Sequence, residues 1–253
     1  MCLILFAYRV HPVYKLIVAA NRDEFYDRPA EPAHFWPDHP YILAGRDLLK
    51  MGTWMGVTTT GRFAAVTNFR NPADKRIGLR SRGNLAAEFL KMQQLPRIYL
   101  REVAKDRDLY PGYNLLAGDK NDLYYYSNVE NKPRLLSPGI YGLSNHLLDT
   151  PWPKVIRGKR ALESLINTPG EISREEIFHL LQDAQQAPDE ELPHTGVSLE
   201  WEKALSSIFI HTGHYGTRSS TVIFMTEDLI DFEERVYASN AEIYHEERFS
   251  VHI

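Results

Sequence analysis

The second residue of this chain would combine two reactive groups in a form of the protein that lacks Met1. Cys2 is the only cysteine among the 253 residues, and without Met1 it would carry both a thiol and a free α-amine. An unperturbed thiol is about 3% ionised at pH 7, whereas about 10–15% of unperturbed α-amines are unprotonated. The amine can therefore accept the thiol proton, which is the chemistry of an N-terminal nucleophile. The alternative is a structural thiol packed in the apolar segment 2–8, because free cysteine is often buried.

Charged residues follow the second apolar segment of the chain. Residues 15–20 form this segment, and the motif Asn21-Arg22-Asp23-Glu24 comes next. If the first two apolar segments pair as a hairpin, the motif lies near the start of the first strand, where Asp23 would hold the α-amine. The alternative is a charged turn with solvated side chains. Further along, Arg218 enters a hydroxyl-rich segment, where a guanidinium predicts an anionic partner such as a carboxylate or a thiolate.

Two asparagines come directly after short apolar segments. Asn68 follows residues 64–67, and Asn145 follows residues 142–144. A side-chain amide at a strand end can donate a hydrogen bond to an oxyanion, an interaction worth about 3–4 kcal/mol for one donor. Each asparagine could instead be a turn former.

The pattern of apolar and turn residues predicts an α+β protein. Strands are predicted over 2–8 and 15–20, over 53–58 and 62–68 around the turn 59–61, and over 113–117, 123–127, 140–143, 207–211, 219–226 and 230–237. Four prolines predict a loop over 26–41. Helices are predicted over 84–92, over 151–166 with Pro151 at the first helical position, and from the capping box of Ser173 and Glu176. The order of strands, helices and strands indicates two antiparallel sheets with helices outside.

Composition narrows the class of protein. The length and a hydrophobic content of 43% predict one globular domain over residues 1–253. A net charge of −4 argues against a nucleic-acid binder. A single cysteine cannot form an intrachain disulfide, and no apolar segment is long enough to span a membrane, so we predict a soluble, cytoplasmic protein. His211 and His214 lack further ligands at metal-site spacing, so no metal and no cofactor is predicted.

Six short motifs, spread in order from residue 21 to residue 220, match one known family. They are Asn21-Arg22-Asp23-Glu24, Gly45-Arg46-Asp47, Val66-Thr67-Asn68-Phe69-Arg70, Gly112-Tyr113-Asn114-Leu115, Gly142-Leu143-Ser144-Asn145 and Thr217-Arg218-Ser219-Ser220. The chain resembles the family named for the Asn-Arg-Asp-Glu motif, also called the transport and Golgi organisation protein 2 family. This resemblance implies the N-terminal nucleophile hydrolase fold, a four-layer αββα sandwich of two antiparallel sheets.

A remoter likeness is to cysteine amidases of the penicillin acylase and bile salt hydrolase type, which begin Met-Cys and cleave amides through an acyl-cysteine. Their second strand ends in Arg-Asn-x-Asp, which aligns with Ala20-Asn21-Arg22-Asp23. Asp23 matches the aspartate that fixes the amine. The family arginine is replaced by Ala20, and Arg22 lies two residues further along the same strand face.

The same likeness implies roles for three more residues. Asn68 and Asn145 resemble the asparagines that stabilise the oxyanion, and Arg218 resembles a late arginine that, with Arg22, sets the field around the thiol. The sequence therefore predicts a hydrolase acting on a linear, non-peptide amide of a small molecule, with Cys2 as the nucleophile. The alternative is a carrier or trafficking factor for a hydrophobic ligand such as haem or a lipid. An oligomer is compatible with both.

Overall fold

The computed structural model describes residues 2–74 and 79–253. The strands are β1 (Cys2–Tyr8), β2 (Leu16–Phe25), β3 (Ala30–Trp36), β4 (His39–Asp47), β5 (Met55–Thr58), β6 (Phe63–Asn68), β7 (Tyr113–Gly118), β8 (Leu123–Ser127), β9 (Arg134–Leu135), β10 (Gly139–Leu143), β11 (Tyr215–Met225), β12 (Leu229–Tyr237) and β13 (Ile243–His252). The α-helices are α1 (Gly83–Lys91), α2 (Pro96–Lys105), α3 (Pro153–Asn167), α4 (Arg174–Leu181) and α5 (Leu199–Ala204). Short 3₁₀ helices cover Arg107–Leu109 and Asp189–Glu191.

The strands form two antiparallel sheets, which confirms the predicted α+β class. The six-stranded sheet has the order β10-β1-β2-β11-β12-β13, and the seven-stranded sheet runs from β3 to β9 in chain order. The chain divides into two compact units: the first contains the chain up to Asp27, Pro138–Ser144 and Leu148–Val251, and the second contains Arg28–Ser137, Asn145–Leu147 and His252–Ile253. The predicted single domain stays a prediction.

One face of the six-stranded sheet packs against α3 and α4. Side chains alternate between the two faces of a strand, so Leu3, Leu5 and Ala7 share the helix-facing side of β1. They form one core cluster with Leu162 of α3 and Phe178 of α4, among other residues. Cys2 belongs to the opposite face by the same alternation. Every residue of β1 is buried, which agrees with its continuous apolar sequence.

The second unit has its own core on the seven-stranded sheet. Phe89 of α1 and Tyr99 and Leu100 of α2 pack with strand residues that include Trp36 and Tyr113. The tyrosine hydroxyl of Tyr99 donates to the backbone oxygen of Leu85, which ties the two helices together. The helix predicted over 84–92 and the hairpin predicted around residues 59–61 are both confirmed. The helix α2 was missed by the sequence analysis.

The predicted loop over 26–41 was wrong, because this segment contributes β3 and the start of β4. Pro32 lies within β3, which is the outermost strand of its sheet. A proline lacks the backbone donor that a central strand needs, but an edge strand tolerates it. Pro37 lies in the turn between the two strands. The prolines therefore mark an edge hairpin rather than an irregular loop.

The strand predicted over 207–211 was also wrong. Only an isolated bridge joins His211 to Gly216. The backbone groups of this segment use other partners: the carbonyl oxygen of Ile208 accepts from the Asn21 side chain, and the N–H of Phe209 donates to the Asp183 oxygen. An apolar segment can thus be buried without a sheet when such partners satisfy its backbone.

Two further boundaries need correction, and some elements were missed. β2 continues to Phe25 instead of ending at Ala20, because β1 and β11 pair with its charged motif. The helix predicted from Pro151 begins at Pro153. The strand β13 and the helix α5 had no counterpart in the prediction. Among the described residues, no helix combines the length and apolar character needed to cross a bilayer.

The Ser173 half of the predicted capping box at the start of α4 is confirmed and gives a stability prediction. The Ser173 side chain accepts from the backbone N–H of Glu176 at 3.3 Å. Ser173→Ala leaves that donor without its cap, so we expect the free energy of unfolding to fall by about 1 kcal/mol. Urea denaturation of the full chain measures the change. Ser164→Ala, at an exposed position inside α3, is the control and should not destabilise. An equal loss for both variants would contradict the capping role.

Candidate active site

The register of β1 and β2 brings Cys2 beside Arg22. The two residues are direct partners in this antiparallel pair, and such partners project side chains from the same face with Cβ atoms about 4.5–5.5 Å apart. Cys2 is buried, whereas Arg22 is partly exposed. On the other side of β2, Ser219 of β11 pairs with Arg22. A thiol, a guanidinium and a hydroxyl thus form a row across three strands, on the face opposite to α3 and α4.

Asp23 lies on the helix-facing side of the same strand. It is 1% exposed, and its Oδ1 accepts a hydrogen bond from Thr217 Oγ1 at 2.8 Å. Thr217 Oγ1 in turn accepts a hydrogen bond from the backbone N–H of Ile210 at 2.9 Å. This second bond orients the Thr217 hydroxyl so that its proton points to Asp23 Oδ1. Burial raises the pKa of Asp23, while the charges of Lys154 and Arg22 and the Thr217 hydrogen bond act to lower it. The Thr217 hydrogen bond therefore fixes one oxygen of the carboxyl, and the effect of burial outweighs that of the two charges, so that the pKa of Asp23 is raised.

Burial also raises the pKa of the Cys2 thiol. The charge of Asp23 acts in the same direction, whereas Arg22 and a hydrogen bond from the Asp23 backbone lower this pKa. The backbone of Cys2 is held too, because Ser144 Oγ donates to its carbonyl oxygen at 3.1 Å. The thiol is therefore neutral at rest, and it needs a nearby base to ionise at neutral pH.

Asn21, the first residue of the charged motif, is committed to the fold. Its Nδ2 donates to the carbonyl oxygens of Leu181 and Ile208 at 2.8 and 3.0 Å, and its Oδ1 accepts from Ser220 at 2.6 Å. The residue is 0% exposed. Asn21 thereby joins the end of α4 to the sheet, and both of its side-chain donors are used in doing so.

Arg218 occupies an irregularity in β11, where the register with β2 shifts between Thr217 and Ser219. Its Nη1 donates to the carbonyl oxygens of Phe25 and Tyr26, both at 3.0 Å. The guanidinium also lies 6.0 Å from the Tyr26 ring centre. These contacts anchor the chain as it leaves β2. The role predicted for Arg218 in the field around the thiol stays a prediction.

In the second unit, the two predicted asparagines contact each other. Asn145 is 0% exposed, and its Nδ2 donates to Oδ1 of Asn68 at 2.8 Å. The backbone N–H of Arg70 donates to the Asn145 carbonyl oxygen at 2.7 Å. Because Asn68 Oδ1 is occupied, its amide orientation is fixed. No hydrogen bond from Asn68 Nδ2 occurs within the described residues, so this group keeps its two donors. The predicted oxyanion role of both residues stays a prediction.

The sequence analysis missed Lys154, a buried cation in the first turn of α3. It is 1% exposed, and its charge lowers the pKa of Asp23 more than the charge of Arg22 does. The periodicity of the helix contained a clue: Leu162 and Gly158 are buried, and one more helical turn towards the start of the helix leads to Lys154. Within the described part of the chain, no three His, Cys, Asp or Glu side chains are grouped closely enough to hold a metal.

Comparison with known proteins gives the family. The model of the family described as Transport and Golgi organisation 2 matches residues 1–239. The chain belongs to this family. The match extends from β1 to the end of β12 and therefore includes Cys2, Arg22, Asp23 and Lys154. The family predicted from the six sequence motifs is confirmed.

Relatives within the Transport and Golgi organisation 2 family include animal proteins of nearly the same length. The Transport and Golgi organization protein 2 homolog of Bos taurus is 37% identical, over 93% of this chain and 92% of its own. The Homo sapiens homolog is 35% identical over the same shares. The Drosophila melanogaster protein is 27% identical over 94% of this chain and 90% of its own. These names carry no specific chemical activity.

A solved structure identifies the fold of this Transport and Golgi organisation 2 family member. A mutant of conjugated bile acid hydrolase from Clostridium perfringens aligns with a TM-score of 0.57, covering 98% of this chain and 92% of its own. The sequence identity is 11%, so the likeness concerns the fold alone. The chain has the N-terminal nucleophile hydrolase fold, as the sequence predicted.

Proposed function

We propose that this protein is a cysteine amidohydrolase that cleaves the C–N bond of a small, linear, non-peptide amide once Met1 has been removed. The observation that carries the proposal is the register that seats Cys2 directly beside Arg22, with the buried carboxyl of Asp23 next on the same strand. The hydrolase fold supports it, because the similar structure belongs to an enzyme named for hydrolysing conjugated bile acids.

The proposed reaction uses the two groups of a mature Cys2. The α-amine takes the thiol proton, and the thiolate attacks the carbonyl carbon of the amide to form a tetrahedral adduct. As the C–N bond breaks, the ammonium returns its proton to the leaving amine, which leaves an acyl-cysteine. The amine then accepts a proton from water, whose hydroxide attacks the acyl carbon. A carboxylic acid leaves and the thiol is restored.

The neighbouring residues have distinct parts in this proposal. The Arg22 guanidinium favours the thiolate, and the Asp23 carboxylate holds the α-ammonium between proton transfers. Asn68 is proposed to donate Nδ2 to the oxyanion, with its orientation set by Asn145. Arg218 is proposed to add to the positive field. The alternative function, a carrier or trafficking factor for haem or a lipid, stays a prediction from the sequence, and so does the cytoplasmic location.

Acylation of the protein by p-nitrophenyl acetate tests the proposal. Intact mass first shows whether purified chains begin at Cys2. We then expect a burst of about one p-nitrophenolate per chain, as for accumulating acyl-enzymes, and peptide mapping should place the acetyl group on Cys2. A panel of N-acyl p-nitroanilides with increasing acyl length tests amide cleavage. Retention of Met1, or acetylation at lysines alone, would disprove the proposed function.

A further inference from the structure

Lys154 occupies a position that the stability of α3 does not explain. Lysine is almost never fully buried unless it is paired, and this side chain is 1% exposed. A cation in the first turn of a helix also meets the positive end of the helix dipole, which is unfavourable. No acidic residue in the first turn of α3 offsets it. A buried lysine at this end of the helix therefore calls for a partner elsewhere.

The packing of α3 holds Lys154 close to the six-stranded sheet. Gly158 lets the helix lie close against this strand, because a Cβ there would be 2.6 Å from Leu5 Cδ1. Val155 packs in the same way against Gly142 of the neighbouring strand β10, where a Cβ would lie 2.7 Å from Val155 Cγ1. One helical turn is about 5.4 Å, so Lys154 is one turn away from the contact with Leu5. Both Lys154 and Asp23 lie on the helix-facing side of the sheet.

Asp23 is the anionic residue on which the charge of Lys154 acts. The Thr217 hydroxyl from β11 contacts the Asp23 carboxyl at 2.8 Å. The titratable groups whose charges are coupled to it are Lys154 from α3, Arg22 from its own strand, the Cys2 thiol from β1 and Tyr26 just beyond β2. Burial favours the neutral acid, and among the charged side chains Lys154 opposes that effect most. Two charges therefore lower the pKa of Asp23: that of Lys154 from the helix-facing side of the sheet, and that of Arg22 from the side on which the thiol lies.

We propose that Lys154 is a positioning residue, whose buried ammonium opposes protonation of the Asp23 carboxyl on β2 so that this carboxyl can hold the α-amine of a mature Cys2. This inference rests on the proposed function, because it assigns the carboxylate to that amine. Removing the ammonium removes a charge that lowers the pKa of Asp23 against the effect of burial. The pKa of Asp23 then rises, so the carboxyl takes up a proton at a higher pH. A neutral Asp23 cannot pair with an α-ammonium, and proton transfer from the thiol loses its anchored acceptor.

The direct test is a pH titration of the full chain labelled with [γ-¹³C]aspartate. The Asp23 carboxyl resonance is identified by its loss in Asp23→Asn. We expect Lys154→Met to move the midpoint of this resonance upward by about one pH unit or more, a tenfold change in acid dissociation. Lys154→Arg keeps the charge and should retain most of the wild-type midpoint. Lys159→Met is the matched control, since Lys159 is on the same helix but pairs with Asp149 at 2.6 Å.

The rate of Cys2 acetylation by p-nitrophenyl acetate supplies the second measurement. In Lys154→Met, with a midpoint shifted by about one pH unit, we expect a rate about tenfold lower at pH values below the wild-type midpoint and close to that of the wild type well above the shifted midpoint. A merely structural role would lower the rate at every pH. Lys154→Gln provides a second neutral variant, and circular dichroism shows which variants fold.

The outcomes separate the two proposals. An unchanged Asp23 midpoint in both neutral variants, or a rate lowered equally at all pH values, overturns the role of Lys154 and leaves the hydrolase proposal standing. A wild-type protein that is not acetylated at Cys2 overturns the proposed function, and with it the purpose assigned to Lys154. A shifted midpoint together with a shifted rate profile supports both.

Discussion

Cys2→Ser is expected to lower the rate of acetylation by p-nitrophenyl acetate at least about 10³-fold, as expected for loss of a covalent nucleophile. Serine keeps the α-amine and nearly the same shape, so the change isolates the sulfur. A hydroxyl ionises far less readily than a thiol, and the Arg22 charge and the Asp23 backbone hydrogen bond do not close that gap. Intact mass measures the acetylated fraction over time. Comparable acetylation of both proteins would refute a role for the thiol.

A second variant separates the thiol from the amine. Insertion of one alanine between Met1 and Cys2 leaves the thiol in place but makes its nitrogen part of a peptide bond. Because burial raises the pKa of the Cys2 thiol, we infer that the amine is needed to ionise it at neutral pH. We expect this variant to react with iodoacetamide at high pH, as the wild type does, but to lose acetylation at pH 7. Equal acetylation at pH 7 would show that the thiol needs no adjacent amine.

The single cysteine makes these measurements unambiguous. Alkylation of any thiol in the chain is alkylation of Cys2. The rate should rise with pH well beyond the range of an exposed cysteine, because burial and the Asp23 charge both raise the thiol pKa. The same observation explains why a lone reactive thiol can persist in the resting protein: it is largely protonated until a base acts on it.

The sequence predicted best those features that are local to a strand or a helix. The continuous apolar segment at Cys2–Tyr8 and the capping box at Ser173 need no distant partner to be recognised. Asp23 was found from its place at the end of the second apolar segment, but its position beside Thr217 on a neighbouring strand is a tertiary fact. Lys154 could not be predicted from its charge, because lysines usually lie on helix surfaces. Only the close approach that Gly158 permits makes that face of α3 an interior one.

The segment 26–41 shows the opposite error, in which local rules were applied too strictly. Proline has no backbone N–H, so it disrupts a strand where that N–H would have to pair with a neighbouring strand. β3 has one neighbour, β4, so its free edge accommodates Pro32. Whether a strand is at an edge depends on the whole sheet, which a single sequence does not reveal. A side chain in this hairpin therefore provides a decisive test of the structure.

Trp36→Ala is expected to lower the free energy of unfolding by about 3–5 kcal/mol, the range for large aromatic residues in a core. Trp36 is 0% exposed, and its indole N–H donates to the Ala44 carbonyl oxygen at 3.0 Å. Its ring also lies 4.4 Å from the Arg46 guanidinium, which is paired with Asp38. Truncation therefore removes a buried ring, a hydrogen bond and a cation–π contact at once. A tryptophan in a surface loop would cost far less.

Phe35→Ala is the matched control for this prediction. Phe35 is the preceding residue of β3 and is 38% exposed. We expect its truncation to cost less than about 1.5 kcal/mol, because much of the ring remains in water in the folded protein. Urea denaturation of the two variants and the wild type gives both values under one set of conditions. Similar losses at the two positions would contradict the difference in burial between them, and a small loss at Trp36 would return this segment to the loop that its prolines suggested.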